Sequence, residues 1–151
     1  MSIPDAILEQ LAAGLAGQPV WGVSRGLGSF LTVELGSTVA EPDGTRRGAW
    51  HLWVYMADWR IEYAGQVVVG SADLPGRIDE VLMQLGPRTF ESFTIDPATG
   101  DTALQLSDEV RLVVLSSALP DDDSEAWILT QSDGTTLSGG PASRWTLEAA
   151  P

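Results

Sequence analysis

The sequence predicts an α+β fold: a bent antiparallel β-sheet of about eight to ten short strands with two amphipathic helices packed on it. Three observations predict it. Apolar residues recur at helical spacing in only two segments, one at the N-terminus and one at Leu74 to Leu85. Most of the remaining chain alternates apolar and polar residues or breaks into turn-rich loops. From Thr89 to Leu115, three strand-like segments follow one another through connections too short for a parallel crossover. At 151 residues the chain has the size of one domain, and a single α+β domain over 1–151 is expected.

In chain order, Ser2-Ile3-Pro4-Asp5 has the form of an N-cap with an early proline and acid, and Ile7, Leu8, Leu11 and Leu15 follow at helical spacing. Gly14 and Gly17 end this helix, and Pro19 prevents its continuation. From Val23 the period becomes two. Leu31, Val33 and Leu35 alternate with Phe30, Thr32 and Glu34 before "GSTVAEPDGTRRG" reads as a loop. Gly22, Gly26 and Gly28 read as bends or bulges, because no helix follows them and the chain has no lysine for a phosphate cradle. Residues 50–56 and 59–63 are expected to form a hairpin around Ala57-Asp58, with a short strand at Gln66 to Val69 after it.

The second helix places Leu74, Ile78, Val81, Leu82 and Leu85 on one face, with Asp73 as its cap and Gly86-Pro87 as its stop. Thr89 to Ile95, Ala103 to Leu106 and Val110 to Leu115 then form a meander. "PDDDSE" reads as a solvated acidic loop, Trp127 to Leu129 as a strand, and Asp133-Gly134 as a hairpin turn. "TTLSGG" and "SRWTL" supply the last short strands.

Charge and composition exclude several chemistries. The chain carries 21 acids against eight basic residues, all arginine, for a formal charge of −13. A basic face for phosphate is hard to build from that balance, so no nucleic-acid partner is expected. Cysteine is absent and histidine occurs once, which leaves too few preferred ligands for zinc or iron; no metal and no cofactor are expected. Asp121, Asp122, Asp123 and Glu125 lack the alternating spacing of a calcium loop. The N-terminus has no basic n-region, and no apolar run approaches the ~20 residues of a membrane span, so a cytoplasmic protein without a membrane partner is expected.

The segment "AWHLWVYMADWRIEY", residues 49–63, gathers half of the six tryptophans, both tyrosines and the histidine. A two-residue turn at Ala57-Asp58 would put Trp50, Leu52, Val54, Met56, Trp59, Ile61 and Tyr63 on one face, the core face. The other face would carry His51, Trp53, Tyr55, Arg60 and Glu62, with Trp53 opposite Glu62 and Tyr55 opposite Arg60. Aromatic bodies with polar tips fit two situations: a face covered by a helix or chain end, or an open binding surface anchored by aromatic and arginine side chains. No catalytic residues are assigned. His51 has no nucleophile elbow beside it, and Ser24, Ser29 and Ser92 form no recognisable arrangement with it.

The motifs "GAWHLWVYMADWRI" and "W-I-L-T…DGTTLSGGPASRW" resemble a family of small uncharacterised bacterial domains with a G-x-W-H-L-W-V, W-R-I and late G-x-x-x-x-G-P-x-S-x-W pattern. The likeness runs from Trp21 to Trp145. In size, acidity and tryptophan content the chain also resembles immunity proteins encoded beside bacterial polymorphic toxins. That resemblance implies a protein-binding module that covers a toxin's active site, and a strongly acidic chain suits a basic, nuclease-like toxin. The candidate contacts are then His51, Trp53, Tyr55, Arg60, Glu62, Asp121, Asp122 and Asp123. A small-ligand binder or an enzyme with a pocket near His51, Trp53 and Tyr55 is the alternative. The sequence leaves the oligomeric state open.

Overall fold

A computed structural model describes residues 5–27, 30–55, 57–116, 125–141 and 145–149. Its elements are α1 (Asp5–Leu15), β1 (Pro19–Arg25), β2 (Leu31–Ala40), β3 (Arg46–Val54), β4 (Asp58–Tyr63), β5 (Gln66–Gly70), α2 (Pro75–Leu85), β6 (Arg88–Ile95), β7 (Thr102–Leu106), β8 (Val110–Leu115), β9 (Trp127–Gln131), β10 (Thr136–Gly139) and β11 (Trp145–Glu148). The architecture is the expected α+β arrangement, with 11 strands among the described residues where about eight to ten were expected. Neither helix among the described residues is long and apolar enough to cross a membrane.

The strands form one antiparallel sheet in the order β11-β10-β9-β3-β2-β1-β6-β7-β8-β4-β5. Its weakest link is β1 to β6, where only Pro19↔Thr89 and Val20↔Arg88 pair. The sheet bends there into two halves that face each other across the core. Bulges at Val20/Gly22, Leu35/Thr38, Ile61/Glu62 and Phe90/Ser92 supply further local twist.

Trp127 of β9 shows how the halves meet. Its ring packs edge-on to Phe93 of β6, with centroids 5.4 Å apart at 84°, and its indole N–H donates to the buried Thr102 hydroxyl of β7 at 3.0 Å. Behind it, a Cβ at Gly139 would lie 2.5 Å from the indole, so only glycine fits beneath the ring. Helix α2 buries Ile78, Val81 and Leu82 and touches both β1 and β5. Helix α1 buries Leu11 and Leu15 on the inner side near Trp50.

The predicted hairpin at Ala57-Asp58 does not form. β3 pairs with β2 and β9, whereas β4 pairs with β5 and β8, so the two strands belong to different halves. The tight hairpin lies one turn later, at Ala64 (φ 50°) and Gly65 (φ 82°). A type I′ turn needs positive φ at both central residues, which Ala-Gly accommodates better than Ala-Asp. The core face predicted for this segment nonetheless holds for Leu52, Val54, Trp59 and Ile61, all buried, with Trp50 half-buried beside them. Tyr63, at the end of β4, is 50% exposed instead, and Met56 lies outside the described residues.

Two further readings need correction. Much of "GSTVAEPDGTRRG" is strand, because the β2–β3 ladder resumes at Thr38↔Gly48 after a bulge. Gly36 takes φ 82° there under the Trp50 ring, and a Cβ on Gly48 would fall 2.3 Å from the Leu35 carbonyl oxygen. At α2, Leu74 is the N-cap residue, without a side-chain cap, and Pro75 begins the helix. The Asp73 carboxylate accepts from Gly70 N–H at 2.7 Å in the preceding turn, and Leu74 is exposed.

Because Trp59 is 2% exposed, Trp59→Ala is expected to lower stability by about 3–5 kcal/mol, read as a fall in the urea midpoint. Gly139→Ala is expected to cost about 1–3 kcal/mol, since the ring it would displace is backed by Phe93 and Thr102. Unchanged midpoints would contradict this core.

Candidate functional site

Alternation on β3 sends Leu52 and Val54 into the core and His51, Trp53 and Tyr55 outward. The neighbouring strands complete the outer face. Trp53 sits between Thr32 of β2 and Ile128 of β9, and His51 between Glu34 and Thr130. Phe30, just before β2, closes an aromatic cluster at the end of the sheet. Its ring meets Tyr55 at 5.1 Å and Trp53 at 6.2 Å, both edge-on, while Trp53 and Tyr55 lie 4.7 Å apart at a tilt of 44°. Both helices pack on the inner side, α1 against Trp50 and α2 through Val81, Leu82 and its neighbours, so neither covers this cluster.

Beside the aromatics stands a polar pair. His51 Nδ1 lies 2.6 Å from Glu34 Oε2, and the other Glu34 oxygen accepts from the backbone N–H of Gly48 at 2.9 Å. A carboxylate only accepts, so Nδ1 carries the proton in this contact. Burial would by itself raise the Glu34 carboxyl. Hydrogen bonds from His51 and Gly48, with attraction to His51 and Arg47, outweigh that effect and hold it below the usual glutamate range. The Glu34 carboxyl is therefore ionised at neutral pH. Ser24 Oγ is engaged with the Thr32 hydroxyl at 2.8 Å, so the described contacts do not link it to the imidazole as a nucleophile–base pair would be.

The predicted site residues divide. His51, Trp53 and Tyr55 come together on the outer face of the first half-sheet. Arg60 and Glu62 lie on the outer face of the other half, because β4 pairs with β8 rather than β3. There Arg60 Nε meets Glu62 Oε2 at 2.7 Å, and Arg111 reaches the same carboxylate at 3.7 Å. The expected oppositions of Trp53 to Glu62 and Tyr55 to Arg60 are thus absent; Trp53 faces Thr32 and Ile128, and Arg60 faces Val113 and Gly70. Asp121, Asp122 and Asp123 lie outside the described residues. Sequence reasoning missed Phe30 and Glu34 as members of the site. Their alternation with Leu31, Val33 and Leu35 put them on an outer face, but only the β2–β3 register brings that face to His51 and Trp53.

Comparison with protein-family models, with curated proteins and with solved structures finds no match to this chain.

The depressed Glu34 carboxyl makes a signed prediction. Its contribution to stability is present above the ordinary glutamate value and is lost as pH falls through the lower folded value. Glu34→Gln is expected to cost about 1.5 kcal/mol at neutral pH, and the gap from wild type should close under acid. Urea midpoints measured from neutral pH down to acid check it; a gap independent of pH would contradict the ionised pair.

Proposed function

We propose that this protein is a protein-binding module whose contact surface is the outer face of β2, β3 and β9. The observation that supports it is the Phe30, Trp53 and Tyr55 cluster, presented on a face to which neither helix contributes. Aromatic side chains at the centre of a patch are the usual anchors of protein interfaces. The adjacent Glu34 carboxylate and the net charge of −13 favour a basic partner. A cognate toxin, with this chain in an immunity role, is the partner class that the resemblance read from the sequence implies. A small-ligand site at His51, Trp53 and Tyr55 has weaker support, since such ligands favour concave pockets and these side chains stand on the outside of a sheet.

The experiment measures binding to a basic protein encoded beside this one, and protection of cells that express it. Trp53→Ala is expected to weaken the complex by about 2 kcal/mol, mainly through faster dissociation. Arg60→Ala, on the other half of the sheet, should leave affinity unchanged. Neutralising Asp121, Asp122 and Asp123 together should slow association and flatten its salt dependence. Retention of full affinity and full protection by the Trp53→Ala, Tyr55→Ala double variant would overturn the assignment.

A further inference from the structure

The inner side of the molecule holds a separate cleft, between α1 and the β9–β10 turn, with a volume of about 470 Å³. Trp50 and Leu137 lie beneath it, Ile7 and Gly14 on the helix form one wall, and Leu147 of β11 stands at the rim, 48% exposed. This cleft is distinct from the aromatic face described above. Trp50 and Trp53 are an odd number of residues apart on one strand, so their side chains leave it in opposite directions.

We propose that this cleft binds a small organic ammonium ion carrying an aromatic or branched apolar body. Its size falls within the range of small-molecule sites, ~300–1,000 Å³. Its chemistry selects the charge. Asp133 is the one charged side chain among the described residues that line it; the remaining polar groups, Gln10, Gln131 and Thr135, are neutral. The Asp133 carboxylate accepts from Thr135 N–H at 2.8 Å, a contact that favours its ionised form. Trp50 lines the cleft with an aromatic ring, the residue type that attracts cations best, and the leucine and isoleucine side chains supply apolar wall.

Gly14 provides an independent observation. It lies within α1, yet its backbone is not in the left-handed region; Gly17, with φ 77°, takes that conformation just beyond the helix. Packing does not demand glycine there either, because a Cβ at position 14 would meet its nearest neighbour, Trp50 Cζ2, at an ordinary 3.7 Å. Alanine would favour the helix at such a position. The glycine's remaining structural effect is to leave the space over Trp50 open.

The test uses the full chain, with benzylammonium as the probe and benzyl alcohol as its uncharged counterpart. Both are titrated at low ionic strength while the amide signals of Gln10, Gln131 and Thr135 and the Trp50 indole N–H are followed by NMR. Benzylammonium is expected to shift these signals saturably and to bind at least about fivefold more tightly than the alcohol. Asp133→Asn keeps an acceptor for Thr135 N–H and should reduce that preference. Gly14→Leu should abolish saturable binding; Gly14→Ala, which favours the helix, should weaken it by a smaller factor. The proposal is overturned by no saturable shift at these signals, by equal affinity for the alcohol, or by unchanged binding in both Gly14 variants.

Discussion

The hydrogen bond from the Trp127 indole to the Thr102 hydroxyl, 3.0 Å long and buried, ties together the two halves on which the rest of the structure depends. A hydroxyl and an indole N–H removed from water are costly unless paired. Here the hydroxyl also donates to the Gly100 carbonyl at 3.0 Å, so both of its roles are used. The bond sets a distance between β9 and β7, two strands far apart in the sheet order, and Phe93 packs on the same ring. Gly139 lets the ring lie flat on its own half-sheet. With that spacing set, Leu31, Val33, Leu52, Val54, Trp59 and Ile61 meet in one interior, and residues of opposite parity on those strands face outward.

This geometry explains which parts of the fold were legible in the sequence. Side-chain alternation reports which residues of a strand face the core and carries no information about which strand lies next to it. The core face of residues 50–61 was therefore readable, although β3 and β4 belong to different halves. The meander from β6 to β8 and the Asp133-Gly134 hairpin were readable because local turns determine both partners. The pairing of β3 with β9 joins strands more than seventy residues apart in sequence, with no local signal to announce it. The same non-local pairing hid the site. His51 and Trp53 were visible as outward residues, but Glu34 and Phe30 reach them only through the register of β2 on β3, and Arg60 and Glu62 leave the group once β4 pairs with β8.

Charge acts at a different level from fold. The chain has eight arginines, and among the described residues five of them contact acids: Arg25 with Asp79, Arg47 with Glu41, Arg60 and Arg111 with Glu62, and Arg77 with Glu80. Exposed pairs of this kind contribute little stability. Their electrostatic effect is to neutralise much of the small positive complement locally, which leaves the larger number of acids to set the exterior potential. Such a potential attracts cations and basic surfaces from a distance set by the ionic strength, but it does not position them. Positioning requires shaped and less mobile groups.

The Phe30, Trp53 and Tyr55 cluster has that property. Bulky β-formers on a solvated sheet face stabilise the sheet through cross-strand contacts, and part of the cluster's presence follows from that alone. A cross-strand pair satisfies this role with one neighbour for each residue. Here all three rings contact one another, edge-on or tilted, at the place where β3 ends and the chain leaves for the opposite half. Tyrosine and tryptophan have few rotatable bonds, and mutual ring contacts restrict them further before any partner arrives. An interface that uses such side chains loses less conformational entropy on association than one built from lysine, glutamate or methionine at the same area. In the proposed interface the aromatic rings would provide the position that the diffuse negative charge lacks, while the charge would raise the frequency with which a basic partner reaches them.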